Sequence, residues 1–205
     1  RKLIIEALHR LGIRGYSIPD YRYIGLGSIY FADFVMFHKY LYIDDMLCVE
    51  DKAIEQRMKF NKPFEFIDLY MGPVSEVLPQ LDRDRPHLIW LDYDYTLNLD
   101  VLSDCNSALT VIAPGSLLLV TVKAQLTEME GASVSERHER SLKFASKFNE
   151  WFGHILSEPV GPQALTRKRL PGLFADVLRQ QFTETTRTRK DKELDFLQVF
   201  NYKYA

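Results

Sequence analysis

Five short apolar runs, near residues 23, 48, 67, 89 and 119, recur along the chain. Between them lie stretches whose apolar residues return every three or four positions, the period of a helix. That alternation leaves few folds open. Runs such as Met46-Leu-Cys-Val49 and Ser116 to Val122 are nearly continuous in apolar residues, as strands buried on both faces must be. Strands of that kind, separated by helices, form an α/β architecture: an open, doubly wound, mostly parallel sheet with helices on both faces. The 205 residues show no internal repeat and no low-complexity linker, so a single domain over 1–205 is expected.

The periodicity places helices over Lys2 to Leu11, Ile29 to Tyr42, Lys52 to Phe60, Val74 to Leu81, Leu97 to Ile112 and Ser141 to Leu156. Gln125 to Arg140 is polar and reads as a loop or an exposed helix entrance. Arg167 to Lys192 is locally basic and reads first as a solvated surface, with a patch for nucleic-acid phosphates or a neighbouring domain as the alternative. Phe196 to Tyr204 alternates like part of an edge hairpin.

Composition removes several classes. With 26 basic and 28 acidic residues the formal charge is −2, which gives polyanions no general attraction. Cys48 and Cys105 lie far apart without a second cysteine near either, so neither a disulfide framework nor a zinc site is indicated. Both sit in apolar stretches and read as small hydrophobes of a reducing compartment. The apolar runs fall well short of the ~20 residues of a spanning helix, and the N-terminus lacks a signal-peptide pattern. A cytoplasmic protein with no membrane partner is expected. The chain begins without methionine and stops within a strand-like pattern, so it reads as part of a longer polypeptide whose other domains would be partners.

In an open parallel sheet the ligand lies beyond the carboxyl ends of the strands, where strand order reverses. The first strand runs into Gly25-Leu-Gly27-Ser28, whose glycines permit positive φ and close approach of the backbone to a ligand. The second ends at Glu50-Asp51, about 20 residues beyond the glycines, where an acid suits the hydroxyls of a ribose. Asp51 also reads as the N-cap of the following helix. A dinucleotide fold wants a small residue where this chain has Tyr30, which argues against NAD and FAD. After the fourth strand comes Asp92-Tyr93-Asp94-Tyr95, two acids and two rings where a sheet needs neither.

From Tyr21 to Lys123 this arrangement resembles the class I S-adenosylmethionine-dependent methyltransferases. The resemblance implies that Gly25, Gly27 and Ser28 form the cofactor loop, that Glu50 holds the ribose and that Met71 and Gly72 lie along the adenine. It implies that Asp92 faces the cofactor's methyl end, and that Asp92 or Asp94 serves as base while Tyr95 stacks on the acceptor or meets the sulfonium charge. Residues 21–123 would be the cofactor half and 124–205 the substrate side. Three positions depart from the family pattern: Tyr23 stands where an acid is usual, Ile29 where a third glycine is, and the segment after the third strand lacks the usual acid for the adenine amine. Val122-Lys123-Ala124 offers no ligands after the fifth strand, so no metal is expected.

His38 falls on an apolar helix and reads as a core or boundary residue; no histidine pairs with a serine or cysteine motif, which leaves a hydrolase without support. The leading expectation is therefore S-adenosylmethionine-dependent methyl transfer to an acceptor, a small molecule ahead of nucleic acid or protein. A catalytically degenerate methyltransferase-like domain, acting as a structural or partner-binding module, is the alternative. A nicotinamide-dependent oxidoreductase ranks third.

Overall fold

The computed structural model describes residues 1–125, 133–189 and 195–202. Five strands, β1 (Arg22–Leu26), β2 (Met46–Glu50), β3 (Ile67–Met71), β4 (His87–Asp92) and β5 (Leu117–Thr121), form one all-parallel sheet in the order β3-β2-β1-β4-β5. All five expected strands are present. Seven α-helices are described: α1 (Lys2–Ile13), α2 (Ala32–Leu41), α3 (Glu55–Asn61), α4 (Val74–Val77), α5 (Leu99–Val111), α6 (Val134–Phe152) and α7 (Leu170–Arg187). The chain is an α/β protein with a Rossmann-like sheet, as the alternation of apolar runs and helical stretches requires.

The described residues divide into two compact units, one of residues 1–93 and 111–121, the other of 94–110 and 122 onward. The first unit holds the sheet. Its core is aromatic: Tyr23 packs 4.9 Å from Phe34 and 4.7 Å from Phe37, centroid to centroid, and Phe37 stacks on Trp90 at 5.9 Å. Phe31, Phe34 and Phe37 are fully buried, each worth about 1.5–3 kcal/mol of transfer free energy. His38 packs against the stacked rings of Phe64 and Phe66, its Nδ1 3.0 Å from the Ile43 carbonyl, the boundary role expected for it. At the amino edge of the sheet Arg22 reaches Asp68 at 2.9 Å and Asp45 at 3.4 Å, and Arg85 meets Asp45 at 2.7 Å.

The second unit is organised by α6 and α7. Phe148 lies 4.8 Å from Phe152, 6.1 Å from Phe144 and 6.1 Å from Phe174. The Asn149 side chain clamps Val160, donating to its carbonyl at 2.9 Å and accepting from its N–H at 2.7 Å.

The expected exposed helix entrance is present where Ser133 and Glu136 form a capping box that opens α6. Two readings change. Within the basic stretch, α7 buries Leu170, Phe174, Val177, Phe182 and Thr186. Residues 195–202 form no strand: Phe196 packs edge-on to Phe182 at 5.4 Å and Gln198 accepts from the Arg179 Nε–H at 3.1 Å, both on α7, while Phe200 pairs with Tyr202 at 4.9 Å. Lys203 and Tyr204, and the parts of the earlier readings that fall on 126–132 and 190–194, lie outside the described residues.

Candidate functional site

The order β3-β2-β1-β4-β5 reverses between β1 and β4, which opens a crevice there at the carboxyl edge. Hydrogen bonding carries the backbone past the strand ends: the Gly27 N–H donates to Val49 O at 2.7 Å, and the Gly72 N–H to Glu50 O at 2.9 Å. Register sets Glu50 opposite Met71, Gly25 opposite Trp90 and Asp92 opposite Thr121. The sheet thereby brings Gly25, Gly27, Ser28, Glu50, Met71, Gly72 and Asp92 to one edge of the first unit.

The glycines act through closeness. Neither has a positive φ; that conformation falls to Gly15 and Gly115, the latter in the turn before β5. A Cβ at Gly27 would lie 2.6 Å from Cys48 Sγ and 3.1 Å from Glu50 Cβ, so only glycine lets the chain cross β2 here. A Cβ at Gly25 would lie 2.7 Å from Tyr23 Cζ. The turn then closes through Phe31 at φ 47°, which buries its own ring and leaves Tyr30 80% exposed; the helix starts at Ala32, three residues later than the apolar pattern suggests.

Glu50 is half-buried at the end of β2, and its Oε1 accepts the Asp51 N–H at 2.8 Å. Asp51 accepts the Ala53 N–H at 2.7 Å, the N-cap role expected of it. Tyr70 donates its hydroxyl to Glu76, which leans the ring against Gly72: a Cβ there would lie 2.9 Å from Tyr70 Cε1. Asp92 is exposed at the end of β4.

Beneath the glycine turn lies a pair that sequence reasoning missed. The Tyr23 hydroxyl donates to Asp33 Oδ2, on α2, and both side chains are buried, Asp33 at 6% exposure. Burial pushes the Asp33 carboxyl above its ordinary range, against the lowering effect of the Tyr23 bond and of Arg1. Burial, reinforced by Asp33, also raises the Tyr23 hydroxyl well above 10, so it remains a donor. The Tyr23 hydroxyl thus stands between Gly25 and the Asp33 carboxyl. The available signal was an aspartate alone among Phe31, Phe34 and Val35 at helical spacing, where a charge needs a partner.

Asp94 and Tyr95 belong to the second unit. Asp94 is exposed, and the Tyr95 carbonyl accepts the Lys123 N–H at 2.9 Å. Partial burial first, then Asp104, Asp100 and Asp94, raise the Tyr95 hydroxyl above 10, which makes it a hydrogen-bond donor at neutral pH. Both cysteines are buried and their thiols are pushed up by burial, in keeping with a packing role. Among the described residues no cluster of three or more histidine, cysteine or acidic side chains could hold a metal ion, and no helix is long and apolar enough to cross a membrane.

Neither a curated protein nor a solved structure matches the chain. A family model does, over residues 1–205, and its description is "Putative O-methyltransferase". With that match spanning the sequence and the strand-end residues gathered on a Rossmann-like sheet, the chain belongs to this O-methyltransferase family.

Proposed function

We propose that the chain transfers a methyl group from S-adenosylmethionine to an oxygen atom of an acceptor. The observation that carries this reading is the approach of Gly27 to Glu50 beside the crevice between β1 and β4. One Glu50 oxygen is engaged by the Asp51 N–H, which orients the carboxylate at the strand end. A carboxylate held there suits the two vicinal hydroxyls of a ribose. Gly25, Gly27 and Ser28 would hold the amino-acid end of the cofactor, and Met71 and Gly72 the adenine. When bound, S-adenosylmethionine supplies an electrophilic methyl group.

The protein's remaining tasks are to align the acceptor and to take its proton. Asp92, exposed at the end of β4, is our first choice as base and Asp94 the second. Tyr95, whose raised hydroxyl stays protonated at neutral pH, would orient the acceptor.

Calorimetry with S-adenosylhomocysteine tests this proposal. Saturable binding is expected, weakened about tenfold by Glu50→Gln through loss of a charge-assisted hydrogen bond. Absence of heat and of any rise in melting temperature at millimolar ligand would overturn it and leave the partner-binding module as the better account.

A further inference from the structure

Phe144, Lys147 and Trp151 follow one another on α6 at intervals of three and four residues and share one face. With Tyr95, Asn98 and Asp100 they line a cavity of about 450 Å³ inside the second unit. That volume lies within the ~300–1,000 Å³ of small-molecule sites. Both walls are anchored. Phe144 is buried against Phe148, and the Asn98 side chain accepts the Val101 N–H at 2.9 Å, which starts α5. The cavity is therefore preformed by packing and capping.

The lining narrows the ligand. Three rings, those of Tyr95, Phe144 and Trp151, favour a flat aromatic body. The Lys147 ammonium stands 4.5 Å from the centroid of Trp151 and makes no ion pair among the described residues. Asp100 likewise makes none, so the two charges do not neutralise each other. Lys147 already occupies the cation position over the Trp151 ring, which disfavours a cationic guest and favours an anionic one. Asp100 offers an acceptor for a hydroxyl, and the Tyr95 hydroxyl a donor.

We propose that this cavity binds a small aromatic hydroxy acid, its carboxylate toward Lys147 and its hydroxyl toward Asp100.

The test titrates the protein with para-hydroxybenzoate and para-hydroxycinnamate, following tryptophan emission and, independently, calorimetric heat. Saturable binding is expected, with the emission change lost in Trp151→Phe. Lys147→Met should weaken binding about tenfold, and the neutral para-hydroxybenzamide should bind as weakly to the wild type and be indifferent to that substitution. The proposal is overturned if neither acid saturates at millimolar concentration, if Lys147→Met binds them unchanged, or if phenyltrimethylammonium binds better than either. S-adenosylhomocysteine is titrated in parallel. Heat with it but none with the acids sinks the pocket alone; heat with the acids but none with it sinks the methyl-transfer reading alone.

Discussion

Tyr23 and Asp33 form a buried bond between a neutral donor and a carboxyl group, and each partner has a different cost of removal. Tyr23→Phe leaves the Asp33 carboxyl without its donor in a site of 6% exposure, which should cost about 1–3 kcal/mol in a urea or thermal melt. Asp33→Asn keeps an oxygen to accept the tyrosine hydroxyl and removes the burden of burying a charge. It should melt at or above the wild-type temperature at neutral pH. The sign follows from the raised carboxyl: the folded state holds its proton more tightly than the unfolded chain does, so ionisation above about pH 3.8 works against folding. An Asp33→Asn melt below that of the wild type at neutral pH would contradict this account. Residue types at the site were mostly legible in the sequence, since Gly27, Glu50 and Asp92 stand at strand ends. What they do was less so, because the glycines' service to their neighbours' side chains is a matter of three-dimensional approach and not of backbone conformation.

Among the elements, α6 carries one wall of the proposed binding cavity and begins at the box of Ser133 and Glu136, in which the Glu136 carboxylate accepts the Ser133 N–H at 2.8 Å. Ser133 holds the Glu136 carboxyl below its ordinary range. Ser133→Ala should cost about 1 kcal/mol and speed hydrogen exchange in the first turn of α6, with little change near Phe148. Uniform loss of protection along the helix would show that the cap governs more than its own end. The strands were readable because burial on both faces forces continuous apolar runs, as in His87–Asp92. The helix α7 was not, because Arg167, Lys168 and Arg169 before it and Arg187 and Arg189 at its end dominate the composition. Its period is nevertheless written in Leu170, Phe174 and Val177. The tail at 196–202 misled for the opposite reason: alternation describes any segment with one covered side, and here a helix covers Phe196.

For the molecule as a whole, a near-neutral formal charge conceals an acid sensitivity located at the amino edge of the sheet. His87 is 1% exposed at the start of β4, its Nδ1 without a hydrogen-bond partner, and burial first, then Arg85 and Arg22, lower it from 6.5, with Asp82 opposing. The unfolded chain therefore binds a proton that the folded one refuses. Stability should be fully present above about pH 6.5 and fall as pH drops below it, with a slope of at most about 1.4 kcal/mol per pH unit from this group. His87→Gln should flatten that part of the curve, and an unchanged slope in chemical denaturation between pH 5 and 7 would refute the assignment. The lean of Gly25 upon the Tyr23 ring has one more consequence, for heredity and for engineering. Positions 23 and 25 form a single unit of variation: a library that randomises position 25 alone should return glycine, whereas freeing both together admits side chains that neither tolerates singly. Relatives that place an acid at 23 would be under no such obligation at 25, and an alignment column read by itself would mistake this chain's solution for a defect.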